Sequence, residues 1–123
     1  MILVDTSVWI DHFRAADSRL ITALEAEMVA THPFVVGELA CGQIKRREEV
    51  LSLLGALPSI VVATHEDALE LIDRHRLMGK GIGYIDVHLL TSLMLTPGAK
   101  LWTRDKRLQP VAADLRLTEH RSG

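Results

Sequence analysis

Residues 1–13 read MILVDTSVWIDHF, and this stretch decides how the chain begins to fold. The apolar run Ile2–Val4 is short and contains two β-branched residues, which indicates a buried strand. It leads directly into Asp5, Thr6 and Ser7, three residue types that commonly begin helices, and then into an amphipathic stretch. A strand, a polar turn and a helix in this order predict the start of a βαβ unit.

The rest of the chain alternates helical and strand-like segments. Helical spacing of apolar residues, with caps and Gly or Pro stops, predicts helices over residues 20–28, 34–41, 45–57, 65–78, 84–95 and 105–113. Short apolar runs predict strands over residues 60–62, 100–103 and 115–118. We therefore expect an α/β protein, a three-layer α/β/α sandwich with a short, mostly parallel sheet. The sequence has no repeat or linker, which predicts a single domain over residues 1–123.

The composition excludes several classes of protein. Of the 123 residues 48% are hydrophobic, and the formal net charge is −2, so the chain is not of the disordered class. The single cysteine, Cys41, excludes a disulfide scaffold. No apolar run reaches the ~18 residues that a membrane helix needs, and Asp5 interrupts the first apolar run before a signal-peptide core could form. We therefore expect a soluble, cytoplasmic protein that does not associate with membranes.

The charge balance limits how the protein could bind nucleic acid. There are 14 Lys and Arg residues against 16 Asp and Glu residues, and the sequence pI is about 6.3. Proteins that bind nucleic acid by bulk attraction to phosphate are basic. A nucleic-acid function would therefore need local basic patches or bound cations.

Four acidic residues lie where a solvated surface does not explain them. Asp5 and Asp105 each follow a predicted strand, at the sheet edge where open α/β proteins bind ligands. Glu38 and Asp86 each share a side of a predicted helix with apolar or small residues three and four positions away. Three of the four have a structural alternative, since Asp5 and Asp105 could cap helices and Asp86 could be a first-turn residue stabilised by the helix dipole.

Taken together, the four carboxylates predict a metal site. Two acids at strand ends and two on inward helix sides can meet at one edge of a parallel sheet. Their repulsion there would reach up to ~4 kcal/mol per pair at 4 Å and an effective dielectric of about 20, and bound cations would relieve it. Oxygen ligands without His or Cys at metal-binding spacing favour Mg²⁺ or Mn²⁺ over Zn²⁺. Such ions suit the hydrolysis of phosphate esters.

Four blocks of sequence, each with one of these acids, resemble the PIN domain of VapC-type toxins. The blocks are MILVDTSVWIDHF, PFVVGELACG, GYIDVHLLTSLML and LWTRDKRL, and they follow one another along nearly the whole chain. The resemblance implies a metal-dependent endoribonuclease from a toxin–antitoxin pair, which leaves a 5′-phosphate and a 3′-hydroxyl. It also implies a small DNA-binding antitoxin as a partner, an RNA substrate and a homodimer.

The resemblance also implies which residues form the site. The catalytic, metal-binding acids of the family correspond to Asp5, Glu38, Asp86 and Asp105. The hydroxyl positions that support the metal or its water correspond to Thr6 or Ser7, beside the first acid, and to Thr103, before the last.

Basic residues around the fourth acid are candidates for RNA contact, with an ordinary solvated surface as the alternative: Arg104, Lys106 and Arg107. A haloacid-dehalogenase-like phosphatase is disfavoured, because it needs a second aspartate two residues after Asp5 and this chain has Ser7 there. Two further alternatives stay open. One is an inactive PIN-like module that only binds a partner protein, and the other is a nuclease that processes RNA without being a toxin.

Overall fold

The computed structural model describes residues 1–119, which form a three-stranded parallel sheet and seven helices. The strands are β1 (Ile2–Val4), β2 (Val29–Ala30) and β3 (Lys100–Trp102), in the order β2-β1-β3. The helices are α1 (Thr6–Arg14), α2 (Ser18–Glu25), α3 (Pro33–Cys41), α4 (Arg47–Ala56), α5 (His65–His75), α6 (Tyr84–Met94) and α7 (Leu108–Asp114). Parallel strands need crossover connections, which the helices supply. The predicted α/β fold class is confirmed.

The hydrophobic core is built on the central strand. β1 pairs in parallel with both neighbours, and its last residue, Val4, lies opposite Trp102 of β3. All three residues of β1 are buried, as expected of a parallel strand covered on both faces. Helix α6 is buried throughout residues 87–93, so its apolar residues extend the core beyond one stripe.

Two of the predicted strands are wrong. Residues 60–62 form no strand: pairing in this region is a single parallel bridge between Ser59 and the residue after β2. Val61 and Val62 are each 49% exposed, so the apolar run is not the buried strand that its composition indicated. Residues 115–118 likewise contribute only one bridge, from Thr118 to Leu101 of β3.

Strand β2 was not predicted, because its residues follow the apolar stripe of the preceding helix. Helix α2 ends at Glu25 instead of continuing to residue 28. The chain then turns at Glu27, whose φ of 57° is left-handed. Met28, expected on the buried side of the helix, is 41% exposed. The other predicted helices are present, with ends that differ by up to three residues.

His32 links the edge of the sheet to helix α6 as a neutral side chain. The backbone N–H of Phe34 donates to its Nδ1 at 3.0 Å, so the ring proton lies on Nε2, which is 3.1 Å from Ser92 Oγ. Ser92 Oγ also accepts from the backbone N–H of Ala63 at 3.0 Å. Burial, together with the charge of His88, lowers the pKa of His32 to about 4. The neutral ring is therefore a fixed part of the core.

The buried apolar residues of the described chain form one hydrophobic cluster, to which both edge strands, β2 and β3, contribute. Among residues 1–119, no helix is long and apolar enough to cross a membrane. Residues 120–123 lie outside the described part of the chain, and the single domain over residues 1–123 stays a prediction.

Candidate active site

Asp5 occupies the carboxyl end of the central strand and is 94% buried, with 6% of its surface exposed. Its backbone N–H donates to Trp102 O at 2.9 Å, which fixes it beside the end of β3. Its Oδ2 accepts hydrogen bonds from Ser7 Oγ at 2.9 Å and from Thr103 Oγ1 at 2.7 Å. Within residues 1–119 the carboxylate makes no capping bond to α1. A helix cap therefore does not account for Asp5, whose carboxylate is oriented by two hydroxyl groups.

Glu38 lies on α3 and is exposed, so the predicted inward position is wrong. The buried residues of α3 are Val35 and Leu39, and Glu38 lies beside this stripe. Thr6 Oγ1 donates to Glu38 Oε1 at 3.0 Å, which joins the first turn of α1 to α3. The two adjacent hydroxyls thus have separate roles: Thr6 holds Glu38 and Ser7 holds Asp5.

Asp86 is half-buried in the first turn of α6, where its Oδ2 accepts from the backbone N–H of Gly83 at 3.2 Å. The pKa of Asp86 is raised, first by burial and then by the negative charges of Asp5, Asp105 and Glu38, while the Gly83 hydrogen bond opposes this. The alternative that Asp86 is a first-turn structural residue is therefore partly right, because its carboxylate accepts a hydrogen bond from the backbone at the start of α6. It also lies within the field of the other three carboxylates.

Asp105 lies in the exposed turn between β3 and α7. Its Oδ1 accepts from the backbone N–H groups of Arg107 at 2.8 Å and Leu108 at 3.1 Å, and its own N–H donates to Thr103 Oγ1 at 3.1 Å. Helix α7 begins at Leu108, three residues later than predicted. The predicted capping role is therefore seen, and it uses one carboxylate oxygen.

The three basic residues around Asp105 differ in their surroundings. Arg104 is 24% exposed, and its guanidinium forms ion pairs with Asp11 at 2.9 Å and Asp17 at 2.5 Å. Lys106 and Arg107 are exposed. Sequence reasoning missed Asp11 and Asp17, because residues so distant along the chain give no signal of pairing with Arg104. The RNA contacts stay predictions, and Arg104 would have to give up two ion pairs to make one.

The donor set fits a magnesium-type ion in its chemistry. It consists of carboxylate oxygens, which hard divalent cations prefer. Burial is the main reason that the pKa of Asp86 is raised, and the negative charges of Asp5, Asp105 and Glu38 raise it further. In the part of the chain that the structure describes, no three His, Cys, Asp or Glu side chains stand close enough to enclose an ion by themselves. Mg²⁺ normally retains several water ligands, so a site of this kind needs only a few protein oxygens.

Comparison with known protein families matches residues 2–114 to the PIN domain. The chain belongs to the PIN-domain family. All four carboxylates and all three supporting hydroxyls lie inside the PIN match. The chain is also similar to Ribonuclease VapC32 from two strains of Mycobacterium tuberculosis, H37Rv and CDC 1551 / Oshkosh. In each case 53% of 114 aligned residues are identical, covering 93% of this chain and 92% of the relative. The resemblance to VapC-type PIN domains is confirmed.

Proposed function

We propose that this PIN-domain protein is a cytoplasmic, divalent-metal-dependent endoribonuclease that acts as the toxin of a toxin–antitoxin pair. The observation that carries the proposal is the buried carboxylate of Asp5 at the end of the central strand, which Ser7 and Thr103 orient through hydrogen bonds. Burial raises the pKa of Asp86, and the negative charges of Asp5, Asp105 and Glu38 add to this effect. The similarity to a protein named Ribonuclease VapC32 supports RNA as the substrate.

In this proposal the four acids hold Mg²⁺ or Mn²⁺. The bound ion would activate a water and neutralise charge on the phosphate that is cut. Ser7 and Thr103 keep the Asp5 carboxylate in one orientation, because both donate to its Oδ2. Thr6 does the same for Glu38.

The RNA backbone would lie along the basic turn after β3. Lys106 and Arg107 are exposed there, immediately after Asp105. Contacts between such side chains and phosphates give affinity without sequence selectivity. A local patch of this kind is needed, because the whole chain carries a net charge of −2.

The antitoxin would bind a groove of about 560 Å³ that Glu38 lines at the side of the proposed site. Apolar side chains of α1 and of the end of α3 and its following turn line this groove, among them Ile10, Phe13, Leu39 and Ile44. An apolar antitoxin segment lying here could place an Arg or Lys side chain on the acidic site, since Arg forms bidentate pairs with carboxylates. A toxin–antitoxin complex with a solvent-open, fully active site would contradict this arrangement.

A homodimer would use apolar side chains that α5, α6 and the segment before α5 leave exposed: Val61, Val62, Leu69, Met94 and Leu95. Each of these side chains is 44–49% exposed. Sedimentation analysis over a range of concentrations tests the dimer. A chain that stays monomeric at all concentrations would contradict it.

The decisive experiment for the proposed function uses a circular RNA, which an exonuclease cannot attack. Purified protein with Mg²⁺ or Mn²⁺ should linearise the circle, and the products should carry a 5′-phosphate and a 3′-hydroxyl. Asp86→Ala should remove this activity while the far-ultraviolet circular dichroism stays that of the wild type. If neither ion supports cleavage, the alternative of a PIN-like binding module is favoured. If cleavage occurs but expression in cells is harmless, the RNA-processing alternative is favoured.

A further inference from the structure

Arg104 lies between two residues of the carboxylate site and ties this segment to two helices. Its Nη1 donates to Asp11 Oδ2 of α1 at 2.9 Å, and its Nη2 donates to Asp17 Oδ2 at 2.5 Å. The side chains of Arg104 and Asp17 are only 24% and 14% exposed. Water and salt screen such a pair less than a surface pair, so it restrains both partners more strongly.

Asp17 uses both of its carboxylate oxygens. Its Oδ1 accepts from the backbone N–H groups of Arg19 and Leu20 and so caps α2, while Oδ2 accepts from Arg104. The hydrogen bond from Arg104 is the main reason that the pKa of Asp17 is lowered. The guanidinium carbon also lies 5.7 Å from the centre of the Trp102 ring, at the end of β3. One side chain therefore connects α1, the start of α2 and β3.

The backbone of Arg104 is fastened to the same site. Its N–H donates to Ser7 Oγ at 3.0 Å, and Ser7 Oγ donates to Asp5 Oδ2. Asp105, by contrast, has its carboxylate held by backbone N–H groups of its own turn. One link from Asp105 to Asp5 runs through Thr103 Oγ1, which accepts from Asp105 N–H and donates to Asp5 Oδ2. The other links from this turn to α1 and α2 run through Arg104.

We propose that Arg104 is a positioning residue, whose paired contacts with Asp11 and Asp17 hold the turn that carries Asp105 against α1 and α2. These contacts add to the direct hydrogen bond from Thr103 to Asp5 in fixing Asp105 relative to Asp5. This inference deepens the proposed function and rests on it. It replaces the expectation that Arg104 contacts RNA, because its guanidinium already binds two carboxylates of the protein. The negative charges nearest to Arg104 thus belong to the fold and not to the substrate.

The test compares Arg104→Gln with Asp17→Asn, which remove the same ion pair from opposite sides. Asparagine also caps helices well, so the second change retains the start of α2. The control is Arg74→Gln, because Arg74 likewise pairs with an acid, Glu70, but on the exposed surface of α5. Four quantities are measured: the dissociation constant of Mn²⁺ from the RNA-free protein, kcat and KM for an oligoribonucleotide, and the unfolding temperature.

Both variants should weaken Mn²⁺ binding and lower kcat by about tenfold to a hundredfold, as small misplacements of reacting groups do, with KM nearly unchanged. The double variant should lose no more Mn²⁺ affinity or kcat than Arg104→Gln alone, since both changes break the same Arg104–Asp17 ion pair. Arg104→Lys should recover part of the loss, and Arg74→Gln should match the wild type. Arg104→Lys retains the charge and serves if the Gln variant does not fold.

Two results would overturn the proposal. The first is a raised KM in Arg104→Gln with wild-type kcat and Mn²⁺ affinity, and no effect of Asp17→Asn, which would make Arg104 an RNA contact. The second is a lower unfolding temperature with kcat and Mn²⁺ affinity unchanged, which would make the ion pair purely structural. If the wild type fails to cleave RNA, the proposed function fails, whereas the Mn²⁺ comparison still decides the positioning role.

Discussion

Replacing Asp86 with Asn removes one negative charge from the acidic site and retains the shape of the side chain. The amide oxygen can still accept the hydrogen bond from Gly83 N–H. Burial and the charges of Asp5, Asp105 and Glu38 raise the pKa of Asp86, so the ionised side chain destabilises the folded metal-free protein. This destabilisation is complete above the pKa that Asp86 has in the folded protein. It disappears as the pH falls from there to the lower pKa of the unfolded chain, because the folded state binds the proton more readily.

The magnitude follows from the surroundings of the four charges. Two unit charges 4 Å apart repel by about 4 kcal/mol at an effective dielectric of 20 and by about 1 kcal/mol in water. Glu38 and Asp105 are exposed, so water and salt screen them, and Asp5 is the buried partner. The lower figure therefore applies. Metal-free Asp86→Asn should be more stable than the wild type by about 1 kcal/mol near neutral pH.

Adding Mg²⁺ should reverse this order. An ion that binds only the folded state stabilises it by roughly 2.7 kcal/mol at a hundredfold excess over its dissociation constant. The Asn variant lacks one ligand and should gain much less. In a thermal unfolding assay with increasing Mg²⁺, the melting temperatures of the two proteins should converge or cross.

Glu49→Gln is the matched control for this experiment. Glu49 also lies in the first turn of a helix, α4, but on the exposed surface. Its neutralisation should leave the response to Mg²⁺ as in the wild type. If Asp86→Asn instead destabilises the metal-free protein and its Mg²⁺ response is unchanged, Asp86 is a structural first-turn residue and no ligand.

Three further predictions concern other parts of the site and the core. Thr103→Val removes the hydroxyl that donates to Asp5, so it should lower the free energy of unfolding in urea by about 1.5–3 kcal/mol and slow RNA cleavage. Thr103→Ser retains the hydroxyl and should have wild-type stability and cleavage rate. An equal loss of stability and rate in the Ser variant would contradict this. Because the pKa of His32 is lowered to about 4, the unfolded chain takes up a proton before the folded protein does as the pH falls. The free energy of unfolding should therefore fall by roughly 3 kcal/mol between pH 6.5 and about 4. A similar fall in His32→Gln would show that other groups cause it. Gly81→Ala should destabilise by about 1 kcal/mol in thermal unfolding because the φ of Gly81 is +79°, whereas Gly55→Ala in α4 should not, and equal effects would refute the backbone argument.

Elements with strong local signals were predictable from the sequence. The first strand and its polar turn could be read from residues 1–13, and the helices that carry Glu38 and Asp86 from their apolar spacing and their stops. Strand β2 was not predictable, because two residues have no periodicity and become a strand only by pairing with β1. Residues 60–62 gave the opposite error, because a strand was predicted there and none forms. Ile60 is the first residue of this run. It is buried by packing, but the two valines that follow it are exposed.

The site was predictable in its members but not in its connections. Position after a strand identified Asp5, since the carboxyl ends of parallel strands meet at one edge of the sheet. Glu38 was selected for an inward position that it does not have, and its link to the site is the hydroxyl of Thr6. Which of Thr6 and Ser7 holds which acid, and that Arg104 pairs with protein carboxylates, depend on contacts between residues distant in sequence. No local pattern encodes such contacts.

The rate of RNA cleavage as a function of Mg²⁺ concentration, measured for the wild type and for Asp5→Asn, tests the metal-dependent carboxylate site most directly. Asp5 is the most buried of the four acids, and two hydroxyls already hold its carboxylate, so Asn should preserve the fold and lose the ion. The wild type should be inactive in EDTA and regain full activity with Mg²⁺, and Asp5→Asn should stay inactive at every concentration. Full activity of the wild type in EDTA, or wild-type rates in Asp5→Asn, would contradict a metal-dependent carboxylate site.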